Sequence, residues 1–189
     1  MSGQKDENTD IREIGYEGAG CRNGDILPFL GQNLRLRIVH EPGLSFAGVR
    51  ISSGELVVRT GRADGRTMSR ILTEWYVRKA KERIPERTAY YARVMKESYH
   101  DIRIKDQKTR WGSCSSKRNL NFSWRIIMAP TPVMDYVIIH ELSHLQHLDH
   151  SENFWARVAQ FMPDYQEKQE WLKENGGRLM GYFKGETLI

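Results

Sequence analysis

Residues 135–155 read DYVIIHELSHLQHLDHSENFW, and four of the chain's six histidines, His140, His144, His147 and His150, fall within this stretch with Glu141 beside the first. The apolar VMDYVII before His140 predicts a helix whose first turns are buried, starting at Thr131-Pro132 and running to about Leu148. In such a helix, residues four apart share a face, so His140 and His144 aim their imidazoles at one point and Glu141 stands alongside. HELSH fits the pattern H-E-x-x-H, and zinc requires that chemistry: neutral imidazole nitrogens at about 2.0–2.1 Å, with one position left open for water.

A third ligand has to approach from another direction. His147 shares the helical face, but ligands at 140, 144 and 147 on one straight helix span about 10 Å, a row that makes no tetrahedral corner. His150 lies past the expected helix end and just before Ser151, where a turn can swing its ring back. The expected ligands of one zinc ion are therefore His140, His144 and His150, and His147 is expected to be a partly exposed helix residue. Glu141 is then placed to take a proton from activated water and to deliver it to a leaving group.

At 189 residues the chain suits one well-filled core. Its net charge of +5 permits an anionic partner, but bases and acids are interleaved along the chain, which reads as a solvated surface, so nucleic acid is possible and not indicated. Cys21 and Cys114 are the only two cysteines, which gives no disulfide framework and suits a reducing, cytoplasmic setting. No signal-like or membrane-spanning apolar run is present, so neither export nor membrane anchoring is expected. No motif fixes an oligomeric state.

Residues 1–23 are polar and Gly-rich and read as a flexible lead-in to a domain over 24–189. From Ile26 to Arg62, runs such as LRLRIVH and ELVVRT alternate between turns such as SSGE, which predicts antiparallel strands. A three-and-four rhythm from Thr67 predicts a helix, and Pro85 is expected to begin a second one. Leu120, Phe122 and Trp124 then alternate with polar residues after a turn-rich SSKRN, which predicts a hairpin with one buried face. Two further helices are expected, one capped by Ser151 and one by Asp164 that ends at Gly176-Gly177. The fold class is α+β, strands, helices and a hairpin packed on the metal helix. Phe154, Trp155, Phe161 and Trp171 are read as core.

QKTRWGSCSS (residues 107–116), NLNFSW (119–124), APTPVMDYVIIHELSHL (129–145) and HSENFW (150–155) together resemble the YgjP-like metal-dependent hydrolases, over about Trp75 to Leu172. The combination is far more specific than H-E-x-x-H alone. The resemblance implies a minimal zincin with a YgjP-type metallopeptidase domain, His140, His144 and His150 on the metal and Glu141 as acid/base. It also implies that the TRWGSC segment borders the active-site cleft. Arg110 then either holds an acidic substrate group or pins the loop, while Trp111 and Cys114 are read as structural. At the front, this chain has a polar tail and a short strand region where the family has a longer strand-rich segment.

Three functions are consistent with these residues. A zinc metallopeptidase acting on a peptide or protein leads. The resemblance also allows a nucleoside triphosphate pyrophosphatase acting on UTP, although phosphate chemistry usually recruits magnesium through carboxylates and this site is built of imidazoles. A nucleic-acid-binding module with a structural metal would need a fourth protein ligand, for which Cys114 is the nearby candidate.

Overall fold

Ser53 and Gly54 both have positive φ, 51° and 77°, the backbone that a two-residue hairpin turn demands, and Gly54 adopts it without a Cβ penalty. This turn joins β3 (Gly48–Ser52) to β4 (Glu55–Thr60), and with β1 (Ile26–Phe29) and β2 (Gln32–His40) they form a sheet in the order β1-β2-β4-β3. The expectation of antiparallel strands is corrected at one pair. β1–β2 and β3–β4 are antiparallel, but β2 and β4 run parallel. Their register sets Leu36 beside Leu56 and Ile38 beside Val58, so pooling of the apolar face decides the partner. A period-two pattern carries no information about strand direction.

These elements belong to a computed structural model that describes residues 21–183. Most of the expected lead-in, residues 1–20, lies outside the described residues. Cys21 is buried against the core, and Asn23 Oδ1 accepts the Ile38 N–H at 2.7 Å.

α1 (Gly65–Met95) is one helix of 31 residues, where the sequence predicts two divided at Pro85. Met68, Leu72, Tyr76, Ala80, Ile84, Thr88 and Ala92 step by four straight through the proline, and all are buried. An interior proline costs a helix about 3 kcal/mol. Burial of a side chain such as Ile84 or Met95 contributes about 1.5–3 kcal/mol each, so the unbroken stripe outweighs the missing hydrogen bond. Asp64 caps the start by accepting the Thr67 N–H at 2.9 Å. At the end Lys96 is left-handed, φ 56°, and the Glu97 N–H reaches back to the Ala92 carbonyl at 2.8 Å.

That closure turns Glu97 inward, where its side chain is only 5% exposed. It accepts from Gln146 at 2.6 Å, Arg157 at 2.5 Å and Arg118 at 3.2 Å. Arg118 also donates to the Leu145 carbonyl and Arg157 to the Met95 carbonyl. One carboxylate thus fastens the end of α1 to three later segments of the chain.

The second sheet contains β5 (Asp101–Lys105), β6 (Gly112–Cys114) and β7 (Asn119–Ser123) in the order β5-β7-β6. β6 and β7 form the expected hairpin, with Leu120 and Phe122 buried, and β5 pairs with β7 in parallel. Buried Arg125 anchors the β5–β6 loop: it lies 4.2 Å over the Trp124 ring and pairs with Asp106, which also accepts from Trp124 Nε1 at 3.0 Å.

α2 (Thr131–Ser143) has Pro130 at its cap position, so Thr131 is its first residue and its hydroxyl makes no capping bond. Nearly every residue from Val133 to Ser143 is buried, as in a helix enclosed by its protein. Arg87 and Tyr91 of α1 both bond Asp135, at 2.8 and 3.1 Å, which fixes α2 against α1. α2 stops at Ser143 and does not reach Leu148, because Leu148 is 72% exposed and no burial sustains further helix there. α3 (Glu152–Phe161) and α4 (Tyr165–Gly181) start where expected, although neither Ser151 nor Asp164 makes a side-chain capping bond. α4 runs through the glycine pair that predicts its end. Gly176 there packs on Trp111, whose ring would lie 3.2 Å from an added Cβ. Among the described residues no helix is long and apolar enough to cross a membrane.

Two stability outcomes follow from this packing. Pro85→Ala restores a helical donor and should raise stability by about 2 kcal/mol in urea unfolding, after subtracting the entropy returned to the unfolded chain. A loss of stability would show that the proline is required where it stands. Glu97→Ala strands the Arg157 guanidinium, whose side chain is 13% exposed, and should lower stability by about 3–5 kcal/mol. A change below about 1 kcal/mol would show that the knot is dispensable.

Candidate metal centre and adjoining cleft

His140 sits in the last turn of α2 and His144 at its C-cap, so the helix delivers both rings to the same side. The chain then turns through residues 145–149 and returns with His150 just before α3. One ring nitrogen from each of His140, His144 and His150 lies within 4.8 Å of the others. The two Nε2 atoms of His140 and His150 are 3.1 Å apart. Nitrogens bonded to one tetrahedral zinc at about 2.0–2.1 Å would stand about 3.3 Å apart, so the spacing suits a shared cation.

The protonation chemistry suits it too. Burial, then the His144 and His150 rings, push the His140 imidazole down to about 3. Burial also lowers His144, against the opposing effect of its bond to the His147 carbonyl. Both rings are therefore neutral near pH 7, with a lone pair to give. His144 Nδ1–H donates to the His147 carbonyl at 2.9 Å, which leaves Nε2 bare. His140 lacks such a partner, since its Nδ1 is buried without a hydrogen bond. Packing orients it instead.

That packing comes from residues read in the sequence as core alone. The Phe154 ring lies 4.9 Å from His140, 4.5 Å from His144 and 4.8 Å from His150. Trp155 stacks on His150 at 5.7 Å and on Tyr165 at 5.3 Å. Phe154 therefore holds all three imidazoles, a role that its position four residues after His150 could have suggested. His147 is not part of the cluster, and it lies beyond the helix, not on it. Its backbone carbonyl carries its contribution.

Glu141 is buried and its Oε2 has no hydrogen-bond partner. Burial pushes its carboxyl up to about 8, and the Arg110 charge pulls it partly back. The reason for its dryness is Gly112: a Cβ there would lie 2.6 Å from Glu141 Oε1 and 2.7 Å from its Cγ. β6 thus rests directly on the carboxylate. A cavity of about 410 Å³ opens at this point, lined by Arg110, Trp111, Gly112, Tyr136, Val137, His140, Glu141, Gln169, Leu172 and Lys173.

Trp111, expected as core, is half-buried and forms a cavity wall. Its backbone is tied to β7 by the Ser123 N–H at 2.8 Å. Cys114 is half-buried too, and burial followed by the nearby Glu141 raises its thiol to about 11, so it is not a ready thiolate. Arg110 is exposed at the cavity and forms no hydrogen bond or ion pair with another described residue. Tyr136 is held at about 12, chiefly by burial, so its hydroxyl remains protonated where it lines the cavity.

None of the curated proteins matches this sequence. Among solved structures, the metallopeptidase zymogen of Pyrococcus abyssi abylysin is similar at 19% identity and a TM-score of 0.44, covering 48% of this chain and 93% of its own. The metallopeptidase zymogen of Methanocaldococcus jannaschii jannalysin is similar at 20% identity and a TM-score of 0.44, covering 49% and 95%. Residues 9–175, which contain the histidine cluster, Glu141 and the strand resting on it, match the family model described as YgjP-like, metallopeptidase domain, and the chain belongs to the YgjP-like family.

Proposed function

We propose that this chain is a zinc-dependent metallopeptidase in which His140, His144 and His150 hold one zinc ion and Glu141 is the general base and acid. The observation that carries this reading is the convergence of three imidazole nitrogens within 4.8 Å beside a buried carboxylate with a free oxygen. Bound zinc would polarise the scissile carbonyl and bring the pKa of water toward neutrality.

The protein's own residues supply the remaining parts. Glu141 is held as the neutral acid by burial alone, and the charge of a cation on the neighbouring histidines would favour its carboxylate. Its Oε2, unpartnered, would then take the proton of the attacking water and pass it to the leaving nitrogen as the C–N bond breaks. Gly112 keeps the carboxylate in place, because no side chain intervenes between β6 and Glu141. β6 is an edge strand. Trp111 accepts from Ser123 and Ser115 donates to Asn119 across the hairpin. By antiparallel alternation, the Gly112 and Cys114 backbone groups therefore face away from β7, free to pair with an extended peptide. That open edge beside Glu141 favours a polypeptide substrate over a nucleotide. Among the described residues the ligand cluster holds three histidines and no cysteine, which leaves a corner for substrate and argues against a closed structural site.

Metal analysis separates the histidines. Wild type and His147→Ala should each carry about one zinc per chain, and His150→Ala should lose it. The reverse pattern would reassign the third ligand. Glu141→Gln should retain zinc while peptide cleavage falls about 10²–10⁴-fold. Gly112→Ala should also keep zinc and the fold but lose most activity, because the new methyl displaces the carboxylate. Full activity in both variants would remove Glu141 from the reaction.

A further inference from the structure

The cavity beside Glu141 has two chemically distinct parts. Its walls are apolar, formed by Trp111, Tyr136, Val137 and Leu172, and the ionisable groups at it are the Glu141 carboxyl and the cations Arg110 and Lys173. The lining includes His140 and Glu141 but neither His144 nor His150, so the space extends to one side of the histidine cluster. A group of substrate size with a large apolar body fits such walls.

The two cations differ. Lys173 is engaged by Glu170 at 3.1 Å. Arg110 is exposed and makes no hydrogen bond or close ion pair among the described residues, although its charge acts on Glu141 from a distance. Its planar fork of donors matches a carboxylate in two parallel hydrogen bonds. Arg110 also stands two residues before Gly112 on the segment that leads into the open edge of β6. A strand advances about 3.3 Å per residue, so a peptide running antiparallel to β6 along that edge passes Gly112 and the cavity first and reaches Arg110 within one or two residues after it.

Resting on the peptidase reading above, we propose that Arg110 is the specificity-determining residue of this site, selecting peptides in which a bulky apolar residue in the cavity is followed within two residues by a carboxylate. The carboxylate comes either from an acidic side chain or from the C-terminus of the substrate. Both present the same planar anion to the guanidinium.

Zinc-loaded full-length protein tests this with internally quenched peptides that share a Phe and differ beyond it. One set carries Glu, Gln or Lys after the Phe. The other ends there as a free acid or as an amide. Wild type should cleave the Glu peptide or the free acid with kcat/KM at least about tenfold above the neutral counterpart, the scale of a charge-assisted pair, and whichever set responds identifies the source of the carboxylate. Arg110→Glu should invert the order within the first set, so that Lys becomes preferred.

Cleavage of all peptides at rates within about twofold, with no inversion in Arg110→Glu, overturns this proposal and leaves the peptidase intact. UTP hydrolysis that needs both Arg110 and Glu141 would assign the cation to phosphate and overturn it as well. If wild type and Glu141→Gln are equally inert on every peptide, the peptidase reading falls and this inference with it.

Discussion

The site depends on a contact that has no room for a side chain. Gly112 lies so close to Glu141 that a Cβ would overlap the carboxylate oxygen and the carbons behind it. This approach lays β6 against α2, dries the carboxylate and brings the open edge of the strand beside it. Burial raises the carboxyl well above its usual range, because a charge in that position has lost its water. The same contact sets one boundary of the cavity, so the buried carboxyl, the backbone edge and the apolar walls share a single geometric constraint.

α2 can serve as the other side of that contact because it has almost no freedom. Its residues are buried nearly all round, and Arg87 with Tyr91 holds Asp135 from the neighbouring helix. The cluster then needs one ring from outside the helix. A straight continuation would carry later histidines along a row, and the chain avoids this by ending α2 at Ser143 and doubling back. Glu97 fixes the segments around that reversal through Gln146, Arg118 and Arg157, while Phe154 fills the space among the three imidazoles. The polar knot thus holds the turn from one direction and an apolar plug holds it from the other.

Much of the candidate site was legible from spacing alone. The approach of His140 and His144 follows from their i, i+4 helical spacing, and the gathering of His150 with them, His147 standing outside the group, follows from a turn after the helix. The hairpin, the turn at Ser53-Gly54 and the starts of α3 and α4 were readable from alternation and turn chemistry. Pro85, the glycine pair in α4 and the end of α2 were not. In each case a local signal was overruled by burial: the α1 stripe continues through a proline, Gly176 serves a close approach to Trp111, and Leu148 finds no core to join.

The sequence by itself determined the residue types and their one-dimensional spacing: neutral imidazole donors at helical separation, a carboxylate next to them, and strands whose alternation divides an apolar face from a polar one. Those properties depend on neighbours a few residues away, so they survive without knowledge of the fold. Only the tertiary structure decided that β2 and β4 run parallel, that Glu97 from the end of α1 controls a turn some fifty residues later (Gln146 is 49 positions away), and that Gly112 rests on Glu141. Each of these joins groups far apart in the chain, and which distant surfaces meet is settled by the packing of the whole core, which no local pattern encodes.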